Sequence, residues 1–143
     1  FFDGPVGGAR PERALTFVDN HDTQPGQALQ SWVQGWFKPL AYALILLRQG
    51  GTPCVFYGDY YGIPHDHIDA VGPQLQALLR LRRDVALGEQ TDYLDDFNLI
   101  GWTRAGDGAR PGSGCAVLLS GALLSIGRGL AHRFFAEAPL KSP

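Results

Sequence analysis

The sequence predicts an α/β fold in which strand–helix units with a parallel sheet give way to a small antiparallel piece. Three observations carry that expectation. The apolar, β-branched and aromatic runs Ala14–Val18 and Thr52–Tyr57 each stop abruptly at polar or glycine-containing residues, which is how buried parallel strands read. Each run is followed by a segment with apolar residues at the helical period, giving the order strand, helix, strand, helix. Near Gly88 that period ends, and short strand candidates separated by turn residues begin.

Taken in order, Phe1–Arg13 is rich in Gly, Pro and Arg and reads as a loop. The first strand, Ala14–Val18, breaks into Asp19-Asn20-His21-Asp22, and Pro25-Gly26 interrupts the loop Thr23–Gln30. Ser31–Arg48 reads as a helix capped by Ser31 and stopped by Gly50-Gly51, with Val33, Trp36, Phe37, Leu40, Ala43, Leu44 and Leu47 on one buried face. Pro39 inside it calls for a short first turn before it and the main helix after it. Thr52–Tyr57 is the second strand, ended by Gly58-Asp59, and Pro53 is tolerated near its start. Tyr60–Gly72 reads as a loop. Pro73–Val85 reads as a helix with Leu75, Leu78, Leu79, Leu81 and Val85 apolar and an exposed basic side at Arg80, Arg82 and Arg83. Asp92–Leu94, Leu99–Arg104 and Cys115–Leu119 are short strands, separated by Asp95-Asp96 and by the run Ala105–Gly114. Beyond Gly121 no alternation predicts an element.

Composition narrows the class. A chain of 143 residues can bury a real core, and 45% apolar with 18% charged residues describes an ordinary globular protein rather than a disordered one. A net charge of −2 gives no reason to expect nucleic acid or an anionic membrane as partner. The longest apolar run, Leu40–Leu47, is far short of the roughly 20 residues a spanning helix needs. Cys54 and Cys115 belong to no Cys-x-x-Cys or Cys/His set and are expected as buried free thiols. The chain has no methionine and starts at Phe1, as a processed product or a fragment would, so the compartment, cytoplasmic or secreted, stays open.

Two strand ends carry the chemistry: Asp19-Asn20-His21-Asp22 and Tyr57-Gly58-Asp59. In a barrel of parallel strands such ends share one rim, where active sites lie. Glycoside hydrolysis uses two carboxyls, about 5–5.5 Å apart in retaining enzymes and about 6.5–9.5 Å apart in inverting ones. Asp19 and Asp22 would lie roughly 10 Å apart on opposite faces of an extended strand, so they make a poor pair unless the chain turns sharply between them. No Gly-x-Ser-x-Gly or His-Glu-x-x-His motif is present, and His65-Asp66-His67 reads as a polar surface loop before it reads as a metal site.

Phe17-Val18-Asp19-Asn20-His21-Asp22 resembles the motif that ends the seventh barrel strand in the alpha-amylase family of glycoside hydrolases. Gly51–Asp59 resembles the family's eighth strand. Trp36–Leu46 resembles the seventh helix of its bacterial liquefying type, and Asp92–Asp95 with Ile100–Arg104 resembles the start of its C-terminal β-domain. The resemblance covers residues 14 to 120 in order. It implies a C-terminal fragment: residues 1–88 as the last two βα units of a (β/α)8 barrel, 89–120 as the beginning of a C-terminal β-sandwich domain, and 121–143 as a divergent tail such as a frameshift or a gene-prediction artefact would produce. It implies retaining hydrolysis of internal α-1,4-glucosidic bonds in starch and related glucans. Asp22 would be the carboxylate that stabilises the transition state, and His21, Asn20, Tyr57 and Asp59 would contact substrate. The family's nucleophilic Asp and general-acid Glu sit on strand ends this sequence does not contain, so the chain alone is expected to be inactive. A structural Ca²⁺ is expected of a full-length parent, with no ligands identifiable here. The alternatives are a non-catalytic glucan-binding module using Trp32, Tyr57, Tyr60 and Tyr61, and an α-glucan transglycosylase of the same family.

Overall fold

The computed structural model describes residues 10–121 and 123–128. These fall into two compact units that divide between Arg80 and Leu81, inside the last helix and ahead of the compositional break near Gly88.

In the first unit a single turn at Pro11–Arg13 leads into β1 (Leu15–Phe17), α1 (Lys38–Leu47), β2 (Thr52–Cys54), α2 (Tyr57–Tyr61), a turn at Pro64–Asp66 and α3 (Gly72–Asp84). β1 and β2 pair in parallel, Leu15 opposite Thr52 and Phe17 opposite Cys54. The strand–helix–strand order and the parallel pairing are therefore as expected, while several boundaries and exposures differ.

The helix foreseen from Ser31 begins at Lys38. Phe37 and Lys38 donate their amides to the Gln34 carbonyl, at 2.9 and 3.1 Å, in the short turn that Pro39 demanded. Pro39 then stands in the first turn of α1, where a missing N–H goes unnoticed. Trp36 and Phe37, expected inside, precede the helix and are exposed, ring edge to ring face at 5.4 Å. From Leu40 to Leu47 the helix is apolar on every side and buried apart from Ala41, which is half-buried.

β2 stops at Cys54 rather than Tyr57, and Tyr57–Tyr61 is a short helix rather than the start of a loop. Cys54 is exposed, against expectation, because it sits in register with Phe17 and shares that outward face. Leu15 and Phe17 are likewise 64% and 46% exposed. A continuous apolar run asks for cover on both faces, and the described residues supply it on one. On α3, Leu75 and Leu78 are buried, whereas Leu79 is exposed.

The second unit is an antiparallel sheet in the order β3 (Gln90–Asp96), β4 (Leu99–Arg104), β5 (Cys115–Ser120), β6 (Leu123–Arg128). Its core is the cross-strand pair Trp102 and Val117, both fully enclosed. Along β5, Cys115, Val117 and Leu119 face in, and burial pushes the Cys115 thiol up from its ordinary value. β6 lies where no element was foreseen: it extends the sheet by pairing with β5, Val117 opposite Ile126. The remainder of the tail lies outside the described residues.

Before β3, Gly88 has φ +80°, and its carbonyl accepts both Nε and an Nη of Arg104 at 3.0 and 2.8 Å. A Cβ there would sit 2.0 Å from the Gly106 carbonyl oxygen. Gly88→Ala therefore combines left-handed strain with a backbone clash, and it should cost on the order of 3 kcal/mol. Urea unfolding followed through the near-ultraviolet dichroism of Trp102 measures this; an unchanged midpoint contradicts it.

Candidate functional site

The site is built where β1 ends. Asp19, the first polar residue past the strand, is 1% exposed. Its Oδ1 accepts the Val33 amide at 3.2 Å, and its Oδ2 lies 3.3 Å from the Lys38 ammonium. Asn20 then turns the chain. Its side-chain oxygen accepts the amides of Asp22 and Thr23 at 2.9 and 3.0 Å, and its own amide donates to the Thr23 hydroxyl at 2.9 Å. This is an Asx turn, the local competition with extended backbone that Asn side chains perform.

The turn separates the two carboxylates of the motif. Asp19 points into the protein, while Asp22 and His21 stand out, with side chains 55% and 82% exposed and His21 Nε2 3.4 Å from Asp22 Oδ1. Asp19 and Asp22 are thus not a catalytic pair. Asn20, expected to contact substrate, uses its oxygen to shape the turn.

The second strand end is organised by the same helix. Lys38 and Tyr42 are four residues apart on α1 and so share a face. Lys38 also bonds Asp59 Oδ1, and the Tyr42 hydroxyl donates to Asp59 Oδ2 at 2.6 Å. Tyr42 in turn accepts the Phe56 amide at 3.2 Å. Asp59, expected to contact substrate, is fully buried with both oxygens engaged by Lys38 and Tyr42. Trp32 joins the same cluster. The Lys38 ammonium lies 3.2 Å from the centre of its ring, so that face is closed to a sugar.

This buried cluster gathers two carboxylates around one ammonium. Burial, opposed by the Val33 amide and by Lys38, raises the Asp19 pKa above its ordinary 3.8. Burial and the hydrogen bond to Asp59 push the Tyr42 phenol up as well. A carboxyl whose folded pKa is raised binds its proton more tightly folded than unfolded. Stability from Asp19 is therefore full below pH 3.8 and is lost as pH rises through the folded pKa. Asp19→Asn should remove that decline, leaving a flatter stability profile in the acid range; chemical denaturation at a series of pH values measures it, and an unchanged slope contradicts it.

Outside the cluster, His21, Gln24, Phe56, Tyr57 and His65 line a cleft of about 430 Å³. Tyr57 is 72% exposed, and its ring leans on that of Tyr61, 4.5 Å away. Of the residues expected to meet substrate, His21 and Tyr57 are the two that share this cleft. Asp22 adjoins it through His21. His65 pairs with Asp66 at 3.4 Å on a turn closed by the Ile63–Ile68 bridge. Among the described residues no three His, Cys, Asp or Glu side chains converge on a metal position, and none of their helices is long and apolar enough to cross a membrane.

Known proteins match the chain in sequence. The chain is 62% identical over 111 residues to an alpha-amylase of Geobacillus stearothermophilus, covering 78% of the chain and 20% of that protein. The chain belongs to the alpha-amylase family. It is also 54% identical over 119 residues to the glucan 1,4-alpha-maltohexaosidase of Bacillus sp. (strain 707), covering 83% of the chain and 23% of that relative. A cytoplasmic alpha-amylase of Escherichia coli (strain K12) is 44% identical over 129 residues, with 83% and 26% covered. The chain thus spans about a fifth to a quarter of the length of these relatives. No protein-family model matches it. His21 and Asp22 sit on the exposed turn after β1, and the alpha-amylase match covers most of the chain.

Proposed function

We propose that this chain supplies a substrate-contacting rim of an alpha-amylase that cleaves internal α-1,4-glucosidic bonds with retention. The observation that carries the reading is the Asn20 turn, which holds Asp19 in the interior and lifts His21 and Asp22 out beside the cleft. In this role the two parallel strands belong to a (β/α)8 barrel and the four-stranded sheet to the β-domain that follows it. Asp22 carries the negative charge that favours an oxocarbenium-like transition state, and His21 donates to sugar hydroxyls. Tyr57 offers its ring to a pyranose face.

The carboxylates of the strand ends do not make a retaining pair by themselves. Asp19 and Asp59 are committed to Lys38, and the nucleophile and proton donor of the mechanism are not among the residues matched to the family motif. The Ca²⁺ expected of a parent protein finds no converging carboxylates among the described residues. The purified chain should release no reducing ends from starch, while maltohexaose should shift the His21 and Tyr57 resonances together. Starch cleavage by the chain alone, or silence of both residues at millimolar maltohexaose, overturns the reading.

A further inference from the structure

We propose that Lys38 is a positioning residue that sets two separate cleft segments at once: the Asn20 turn that carries His21, and the α2 start that carries Tyr57. The inference rests on the glucan reading only for the identity of the ligand. The geometry stands without it. One ammonium on α1 holds Asp19, two residues before His21, and Asp59, two residues after Tyr57. Tyr42, one turn further along the same helix face, takes the other oxygen of Asp59 and also the amide of Phe56, a cleft residue. The Trp32 ring covers the ammonium and meets Phe56 edge to face at 6.3 Å, closing the junction to water. The Lys38 and Tyr42 side chains thus tie α1 to both segments, while the Val33 amide, ahead of α1, takes the other oxygen of Asp19.

Burying this cluster is hard to account for as a device for stability. Such clusters are often replaceable by well-packed apolar residues with no loss. A strut of fixed direction is a different matter. Apolar contacts are non-directional, whereas two carboxylates on one ammonium fix how two chain segments face each other.

The test is amide hydrogen exchange on the whole chain, read residue by residue by NMR. The amides of Asp22 and Thr23 report the turn, and those of Tyr60 and Gly62 report α2. The triple variant Lys38→Met, Asp19→Asn, Asp59→Asn leaves no unpaired buried charge. It should lose protection by about tenfold or more at both segments, while Trp102 and Val117 in the sheet keep theirs. Asp19→Asn alone should loosen the turn, and Asp59→Asn alone should loosen α2. Protection of either segment within about twofold of the parent in the triple variant overturns the proposal, and so does a loss shared by Trp102 and Val117, which reports general unfolding. Failure of the triple variant to give a dispersed spectrum overturns it too, since a positioning residue with its partners neutralised leaves the fold intact. Maltohexaose is the second arm. If exchange behaves as expected and maltohexaose moves neither His21 nor Tyr57, the positioning role stands and the glucan reading fails.

Discussion

Lys38→Met should lower the stability of the first unit by about 3–5 kcal/mol, the cost of stranding buried charge. The substitution keeps the length of the side chain and the apolar fit against Trp32, so little of the effect is packing. What changes is that Asp19 and Asp59, 1% and 0% exposed, face each other with no ammonium between them. Neutralising the carboxylates in the same chain should recover most of the loss, because two unpaired charges are then removed along with their partner. Thermal unfolding followed by far-ultraviolet dichroism compares the three proteins. A Lys38→Met protein as stable as its parent contradicts the account, as does a triple variant no better than the single one.

The second large effect concerns Asp22. Grafted into the Geobacillus stearothermophilus alpha-amylase in place of the matching segment, this chain's residues should support starch hydrolysis, and Asp22→Asn in the graft should lower kcat by about 10²–10³-fold. Asparagine keeps the size and the neighbouring Asn20 turn, whose bonds use the Asp22 backbone amide rather than its side chain. The loss therefore reads charge at the transition state. KM should move much less than kcat, because an interaction made mainly in the transition state is lost from kcat.

Particular residues show how far the sequence could be read. β4 was legible to its boundaries because Leu99–Arg104 is flanked by turn residues on both sides. β6 was not: adjacent leucines and Gly127 blur its alternation, and the strand is specified by its register against β5, a non-local pairing. The turn at Asn20 was within reach of local chemistry, since Asn two residues before a free amide is an Asx-turn signal. It decides which carboxylate of the motif faces outward. The burial of Asp59 was not legible: a polar residue after a strand reads as exposed, and nothing local reveals that a lysine twenty-one positions earlier encloses it. Lys38 itself carried a faint signal. A lysine at the head of a helix that is apolar on all sides, with Tyr42 on its own face, has no solvated side to occupy. Trp36 and Phe37 show the opposite error, in which the helical period was extended through a turn that Pro39 had already separated from the helix.

If the exposed end of β1 acts on sugar, the charge of Asp22 must show in the rate of starch cleavage. The direct measurement is the starch-hydrolysis rate of the graft with and without Asp22→Asn. The account predicts an active graft whose kcat falls by at least about a hundredfold on that one substitution. A folded graft with no activity, or one whose kcat is untouched by Asp22→Asn, contradicts it.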